Sequence, residues 1–423
     1  MMNEPIRVAM IGTGDISNRH MKVWGHIPQV TVAAAAEIDP KALQSFGQRY
    51  HISEADLYTD FREMLKRDDI DAVDVCVHNN LHAPVSIAVM KAGKDCYCEK
   101  PMSASYYDSK LIYDCAKATG RKLAVQLSSL FSAQTLIAKK LIDAGKLGEV
   151  YHARVSEVAW RRRPHVDRLA DMCSDAFQNK AIAGHGALID TGVYHVGQML
   201  YLLGLPELDT VMGRLYQKIP VGNAPWADKG YIASHPMGVE EMGVGFATFR
   251  NGLSLEISSS NASNVEDIGA NYITGTLGAL QYTMPDAFGG DWSMGIPPFG
   301  LLPDGMQPTL KFTGKDEFGF SVTTDYRPYE NQQDLRHYNR DMACYFDNQQ
   351  MWYDYLTGKL TDETRYDTPL VGLNTSLLSE GIILSEERGG GPVTADEIRA
   401  LSRSIAMWHQ ETPWGVFDYE STF

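Results

Sequence analysis

At 423 residues, 44% hydrophobic and 22% charged, the chain has the composition of a globular protein with room for two or three domains. Its net charge of -15 argues against nucleic-acid or anionic-membrane partners, which call for clustered cations. No apolar run approaches the roughly 20 residues of a membrane span, and the first eleven residues enter a strand without an export-signal pattern, so a cytoplasmic protein is expected.

Residues 6–11 and 30–36 read as buried strands, followed by strands at 72–77, 95–98 and 122–127. Helical stretches lie between them at 40–50, 83–92 and 105–118, with Asp39 capping the helix that Pro40 opens. Continuous apolar strands alternating with helices predict a parallel, doubly wound sheet covered on both faces. A further amphipathic helix at 132–144 closes on Gly145. Beyond Gly148 the strands at 150–158, 243–250, 253–259 and 272–274 alternate polar and apolar residues. Asn251-Gly252 marks a hairpin between two of them, and a helix runs over 191–203. These features predict a second, α/β domain on a mostly antiparallel sheet with one face packed on helices, and the division is placed at 1–127 and 128–423. Residues 284–333, rich in Gly, Pro, Asp and aromatics, are expected to be irregular loops over a site or a subunit contact. Six sparse cysteines lack zinc spacing and read as reduced, mostly buried thiols, with Cys96 and Cys98 expected on opposite faces of their strand. No metal site is expected.

Gly12-Thr13-Gly14-Asp15-Ile16-Ser17 closes the first strand and opens a helix. Two glycines there allow a tight turn and close approach of backbone to a pyrophosphate on the helix N-terminus. Ser17 takes the place of the third glycine. Glu37, at the end of the second strand and about 20 residues downstream, has the position of an acid that bonds a ribose diol. A carboxylate there repels a 2′-phosphate, which favours NAD over NADP. Glu99-Lys100-Pro101 ends the strand at 95–98, where proline stops pairing and a parallel sheet offers side chains to ligands.

Together these residues resemble the glucose-fructose oxidoreductase, inositol dehydrogenase and rhizopine-catabolism family, Gfo/Idh/MocA. The likeness runs through Asn79-Asn80-Leu81-His82, Glu99-Lys100-Pro101, Gly184-His185-Gly186, Asp190-Thr191-Gly192-Val193-Tyr194, Val239-Glu240-Glu241 and the helix at 377–388. It implies a Rossmann domain, a C-terminal α/β domain with a large open sheet that joins subunits into a homodimer or homotetramer, and oxidation or reduction of sugar and cyclitol hydroxyls. By this resemblance Lys100 lies between nicotinamide and substrate, Glu99 contacts the nicotinamide ribose, and the Lys100–Pro101 bond is a candidate for cis. Asn79 and His82 match a cofactor-contact turn, although His82 equally suits a helix start without a ligand.

Asp190 and Tyr194, four apart at a helix start, are expected on one helix face. Relatives with tyrosine at this position use it in proton transfer, and Lys100 is expected to depress its phenol pKa. His195 has the better intrinsic pKa but lies about 100° round the helix. Trp160, Arg161 and Arg163, ending the first strand of the second domain, are candidates for packing and donating to a sugar, against the alternative of a solvated basic turn. His185 completes the substrate candidates. The leading expectation is an NAD-dependent dehydrogenase of a pyranose sugar, glycoside or cyclitol. The alternatives are a redox-neutral, NAD-dependent glycoside-cleaving enzyme and a non-catalytic NAD-binding sensor.

Overall fold

The computed structural model describes residues 5–131, 133–160, 163, 175–220, 237–265, 271–283, 309–316, 319–326, 348–360, 367–413 and 415–419. Five helices and six strands alternate through the first 127 residues: β1 (Ile6–Ile11), α1 (Asp15–Trp24), β2 (Val30–Ala36), α2 (Pro40–Tyr50), β3 (Leu57–Tyr58), α3 (Phe61–Leu65), β4 (Ala72–Val75), α4 (His82–Lys91), β5 (Asp95–Cys98), α5 (Tyr106–Thr119) and β6 (Leu123–Val125). The strands are parallel in the order β3-β2-β1-β4-β5-β6. The order reverses direction between β1 and β4, and such a switch point opens a crevice at the strands' carboxyl ends. Local chemistry agrees with this arrangement. Asp39 accepts from the Lys41 amide at 2.9 Å to cap α2 behind Pro40, and Ser105 caps α5 through the Asp108 amide. The Lys100–Pro101 bond is cis.

The second part contains α6 (Ala133–Asp143), β7 (Val150–Trp160), α7 (Lys180–Ala183), α8 (Ala187–Asp190), α9 (Gly192–Leu202), β8 (Leu208–Tyr216), β9 (Met242–Phe249), β10 (Ser254–Ser263), β11 (Asn271–Gly275), β12 (Ala279–Thr283), β13 (Thr309–Lys315) and β14 (Ser321–Tyr326). It ends with α10 (Asn348–Leu356), α11 (Thr368–Glu387), β15 (Val393–Thr394), α12 (Ala395–Leu401), β16 (His409–Thr412) and β17 (Gly415–Asp418). Nine strands form one sheet in the order β14-β13-β12-β11-β7-β10-β9-β8-β15. Among the described strands of this sheet, β7 and β10 pair in parallel and the others antiparallel, so the sheet is mixed. A register-matched row from Val211 through Ala247, Leu255, Ala153, Ile273 and Leu280 to Phe312 is buried in one core with residues of α9 and α11.

Two expectations need correction. The stretch 284–333 is not irregular throughout: β13 and β14 extend the sheet, because their alternating Thr, Lys and Phe suit a half-buried antiparallel edge. Residues 284–308 and 327–333 lie outside the described residues. Cys96 and Cys98 share a face, since residues two apart on a strand point the same way; both thiols lie against the Ser86 hydroxyl.

The chain returns to its starting domain. Trp352 of α10 packs on Trp24 and Tyr97 at ring distances of 5.9 and 5.1 Å, and Phe417 and Tyr419 join the same core.

Candidate active site

A cavity of about 550 Å³ runs along the carboxyl ends of β2, β1, β4 and β5 to the face of the second domain. The turn after β1 supplies its floor. Gly12 has φ +90°, and a Cβ there would lie 2.4 Å from the Cys76 carbonyl oxygen, so only glycine fits. Gly14 precedes α1 with open space where a side chain would stand, and Asp15 and Ile16 continue the lining. Ser17, fully buried, donates to the Gly14 carbonyl at 2.5 Å. Glu37 accepts from the Thr13 and Asp39 amides at 3.0 and 3.2 Å, which fixes its carboxylate over the turn. This is a cradle of backbone donors, with one fixed acid beside it. It fits a dinucleotide.

At the other end three of the expected residues converge. Lys100 Nζ donates to both the carbonyl and Oδ1 of Asp190, each at 2.8 Å. The same ammonium lies 5.0 Å from the centre of the Tyr194 ring. Burial disfavours the charged lysine, but the Asp190 carboxylate, with Tyr194 and Glu99, outweighs this and raises its pKa. Tyr194 departs from expectation: burial raises the phenol pKa more than Lys100 lowers it, and Glu99 and Asp190 add to the rise. Asp190 and Tyr194 are not on one helix either. Asp190 ends α8 and Tyr194 belongs to α9, with Thr191 between them.

Glu99 is buried with both oxygens engaged within the chain. Oε1 lies 2.9 Å from His20 Nε2, and Oε2 accepts from the Lys100 amide at 2.9 Å. His20 Nδ1 in turn sits 2.9 Å from Asp74, which also accepts from the Trp24 indole at 2.8 Å. Burial opposes charge on His20, yet Asp74 and Cys76 raise its pKa well above the usual value. The result is an alternating string, Asp74, His20, Glu99, Lys100, Asp190, which leads from the Rossmann core to the Lys100–Asp190 end of the cavity.

The remaining expected residues are placed as follows. Asn79 lines the cavity and donates to the Ala183 carbonyl at 3.2 Å, joining the two domains. His82 is buried outside the lining, its ring bridging the carbonyls of Pro101 (2.6 Å) and Val77 (3.2 Å). Burial lowers its pKa. His195 is buried behind the cavity wall, with Nε2 3.2 Å from Glu157. His185 lies 3.7 Å from Glu240, which accepts from the Gly186 amide and so shapes that turn. Arg163 is fully buried, pairing with Glu241 at 3.3 Å and donating to the Ile219 carbonyl at 2.7 Å. It braces the chain and does not line the cavity. Trp160 ends β7, but its side chain, like Arg161, lies outside the described residues.

Sequence reasoning missed Glu157, Asn261, Arg19, Gln410 and Tyr419, all on the cavity wall. Glu157 had a signal. It follows Ala153 and Val155 on the inward face of β7, where a carboxylate breaks an apolar row. Among the described residues His20, Asp74 and Cys76 offer metal-ligand atoms close together, but the histidine and carboxylate already satisfy each other.

Residues 6–127 match the family model described as an oxidoreductase family with an NAD-binding Rossmann fold, and 135–281 match the Gfo/Idh/MocA C-terminal domain. The D-glucoside 3-dehydrogenase of Escherichia coli K12 is 27% identical over 273 residues, 63% of this chain and 73% of that protein. A glycosyl hydrolase family 109 protein of Shewanella pealeana is 26% identical over 170 residues, 38% of this chain and 37% of that one. A levoglucosan dehydrogenase in complex with NADH shares the fold at a TM-score of 0.70 and 20% identity, covering 92% of this chain and 99% of its own.

Proposed function

We propose that this chain, which belongs to the Gfo/Idh/MocA family of oxidoreductases, is an NAD-dependent dehydrogenase acting on a secondary hydroxyl of a pyranose sugar, glycoside or cyclitol. The observation that carries this reading is the Lys100–Asp190–Tyr194 cluster in the same cavity as the Gly12–Gly14 cradle. NAD, when bound, supplies the two-electron acceptor at its nicotinamide. Gly12, Gly14, Asp15 and Ile16 would hold its pyrophosphate, Glu37 its adenosine ribose, and Asn79 the wall between the halves.

The chain's own residues manage the substrate oxygen. Lys100, held charged by Asp190, stabilises negative charge developing on the carbinol oxygen. Tyr194 exchanges the hydroxyl proton with that oxygen: it accepts the proton on oxidation and returns it on reduction. Glu157 and Asn261, near the same end, are suited to accept from and donate to ring hydroxyls. Glu99 acts through Lys100, whose backbone it holds.

Free, mostly buried thiols at Cys76, Cys96, Cys98 and Cys115 support a cytoplasmic location. Among the described residues no helix is long and apolar enough to cross a membrane. A homodimer or homotetramer through the open sheet face is part of the same proposal.

A second reading, redox-neutral cleavage of a glycoside, has support from the likeness to the family 109 protein. A screen of free sugars, glycosides and inositols with NAD separates the two. Net NADH formation supports the dehydrogenase, whereas aglycone release without net NADH supports cleavage. NADH binding with neither would leave a sensor.

A further inference from the structure

We infer that the C-terminal segment described at residues 407–413 and 415–419 straps over the far end of the cavity and forms a purine subsite there, with Gln410 and Tyr419 as its contacts. The inference rests on the NAD reading and deepens it, because the purine it would take is the adenine.

The cavity's polarity along the sheet fixes which end this is. Lys100 and Tyr194 occupy one end; Glu37, at the end of β2, marks the ribose position toward the other. Past Glu37 the lining becomes apolar, with Ile38 after β2, Thr59 and Phe61 after β3, and Leu81 and Val85 at the start of α4. A flat heterocycle suits that width, but these walls lack a cover.

The strap supplies it. Its entry is clamped by Asp108, which accepts from the Ser404 hydroxyl at 2.6 Å and from the Ile405 and Ala406 amides at 2.9 and 3.1 Å. The Met407 amide then donates to the Asn80 carbonyl at 2.7 Å, on the α4 side. The antiparallel pair β16–β17 follows, and the Tyr419 amide closes its base on the Trp408 carbonyl at 2.8 Å. On the β3 side the Tyr419 ring stacks on Phe61 at 5.9 Å and 17°, and Arg62 lies over Phe417 at 5.3 Å. The segment therefore spans the crevice and is fastened on both banks.

Its two cavity residues have complementary chemistry. Tyr419 is 3% exposed and offers an aromatic body at the wall. Its hydroxyl donates to Gln410 Oε1 at 2.8 Å, which leaves the amide N–H pair of Gln410 for ring-nitrogen acceptors such as those of adenine.

The test measures Kd values of the full-length protein for NADH, ADP-ribose and reduced nicotinamide mononucleotide. NADH and the mononucleotide are read by fluorescence and ADP-ribose by calorimetry. Gln410→Ala and Tyr419→Leu are each expected to weaken NADH and ADP-ribose about tenfold, within the range for losing one base contact. Binding of the mononucleotide should stay within about twofold. Tyr419→Phe, which keeps the ring, should fall between. Gln410 is half-buried, so its variant remains informative if Tyr419→Leu fails to fold. Unchanged ADP-ribose affinity in folded Gln410→Ala and Tyr419→Phe proteins, or equal loss for the mononucleotide, would overturn the strap assignment alone. A wild-type protein that binds neither NADH nor ADP-ribose would sink the NAD reading beneath it.

Discussion

In the proposed mechanism Lys100 is the residue on which the chemistry turns, and its surroundings decide its form. Asp190 raises its pKa against the opposing effect of burial, so the ammonium persists through neutral pH. Lys100→Ala should reduce kcat/KM about a thousandfold, within the range for a positioned proton-transfer or charge-stabilising group. The NADH Kd should change far less; unchanged turnover would remove Lys100 from the mechanism. Tyr194 titrates in the opposite sense to the one expected from sequence. Its pKa is raised, so the phenol is protonated at neutral pH and ready to donate during reduction. Oxidation needs the conjugate base, whose fraction grows about tenfold per pH unit below the pKa. The kcat/KM for alcohol oxidation should therefore climb with pH into the alkaline range, while reduction stays flat near neutrality. Tyr194→Phe should remove the rising limb. Glu37, held by two backbone amides, presents a fixed negative charge. Glu37→Ser should narrow the ratio of NAD to NADP efficiency by at least tenfold, through gain with NADP.

At the scale of elements, one buried ion string joins α1, β4 and β5. His20 from α1 bridges Asp74 of β4 and Glu99 just past β5, and all three are at most 5% exposed. His20→Ala would leave two buried carboxylates without their cation. Breaking such a pair costs about 3–5 kcal/mol, measurable by urea unfolding. The pH dependence has a definite sign. The raised His20 pKa contributes stability that is full below its ordinary value of 6.5 and fades as pH rises through the folded one. The lowered Glu99 pKa contributes stability present above the carboxylate range and lost as pH falls through the folded value. The wild type should lose stability on the alkaline side, and the variant should lack that slope. None of this was legible in advance. His20 carries no motif of its own, and Asp74 reads only as part of the strand at 72–77. By contrast, the alternation of apolar strands with capped helices located β1, β2, β5 and α2 at their observed bounds. Short-range chemistry sets those elements: a proline, a cap, a run of buried aliphatics. Contacts made across 50 or more residues, such as His20 with Asp74 or Tyr419 with Phe61, leave no local trace. The Glu-Lys-Pro triplet was readable because three incompatible residue types end one strand.

The molecule as a whole presents two large sheets with different fates. The first is covered on both faces by helices and by the returning C-terminal segments, which bury Trp352 and Phe417 against it. The second, among the described residues, is covered by helices on one face. On the other face, Met212, Phe246, Glu256, Arg154 and Tyr272 stand opposite one another across five adjacent strands. Met212 is 44% exposed and Phe246 42%, and Tyr216 lies two residues along β8 from Arg214 on the same face. His152 stacks on Phe246 at 6.4 Å and 26°, extending the aromatic surface. An apolar and aromatic row with a charged pair within it suits the proposed self-complementary interface. A stable interface of this kind buries about 800 Å² per partner, which a face of this many strands can provide. If the two-fold axis passes near Phe246, a charge placed there meets a like charge. Phe246→Glu should therefore convert a dimer or tetramer to smaller species by light scattering, at unchanged urea stability of the monomeric fold. Because the cavity lies on the opposite side of this sheet, NADH affinity should survive the change. A wild-type chain that runs as a monomer at micromolar concentration would show that the face serves something else.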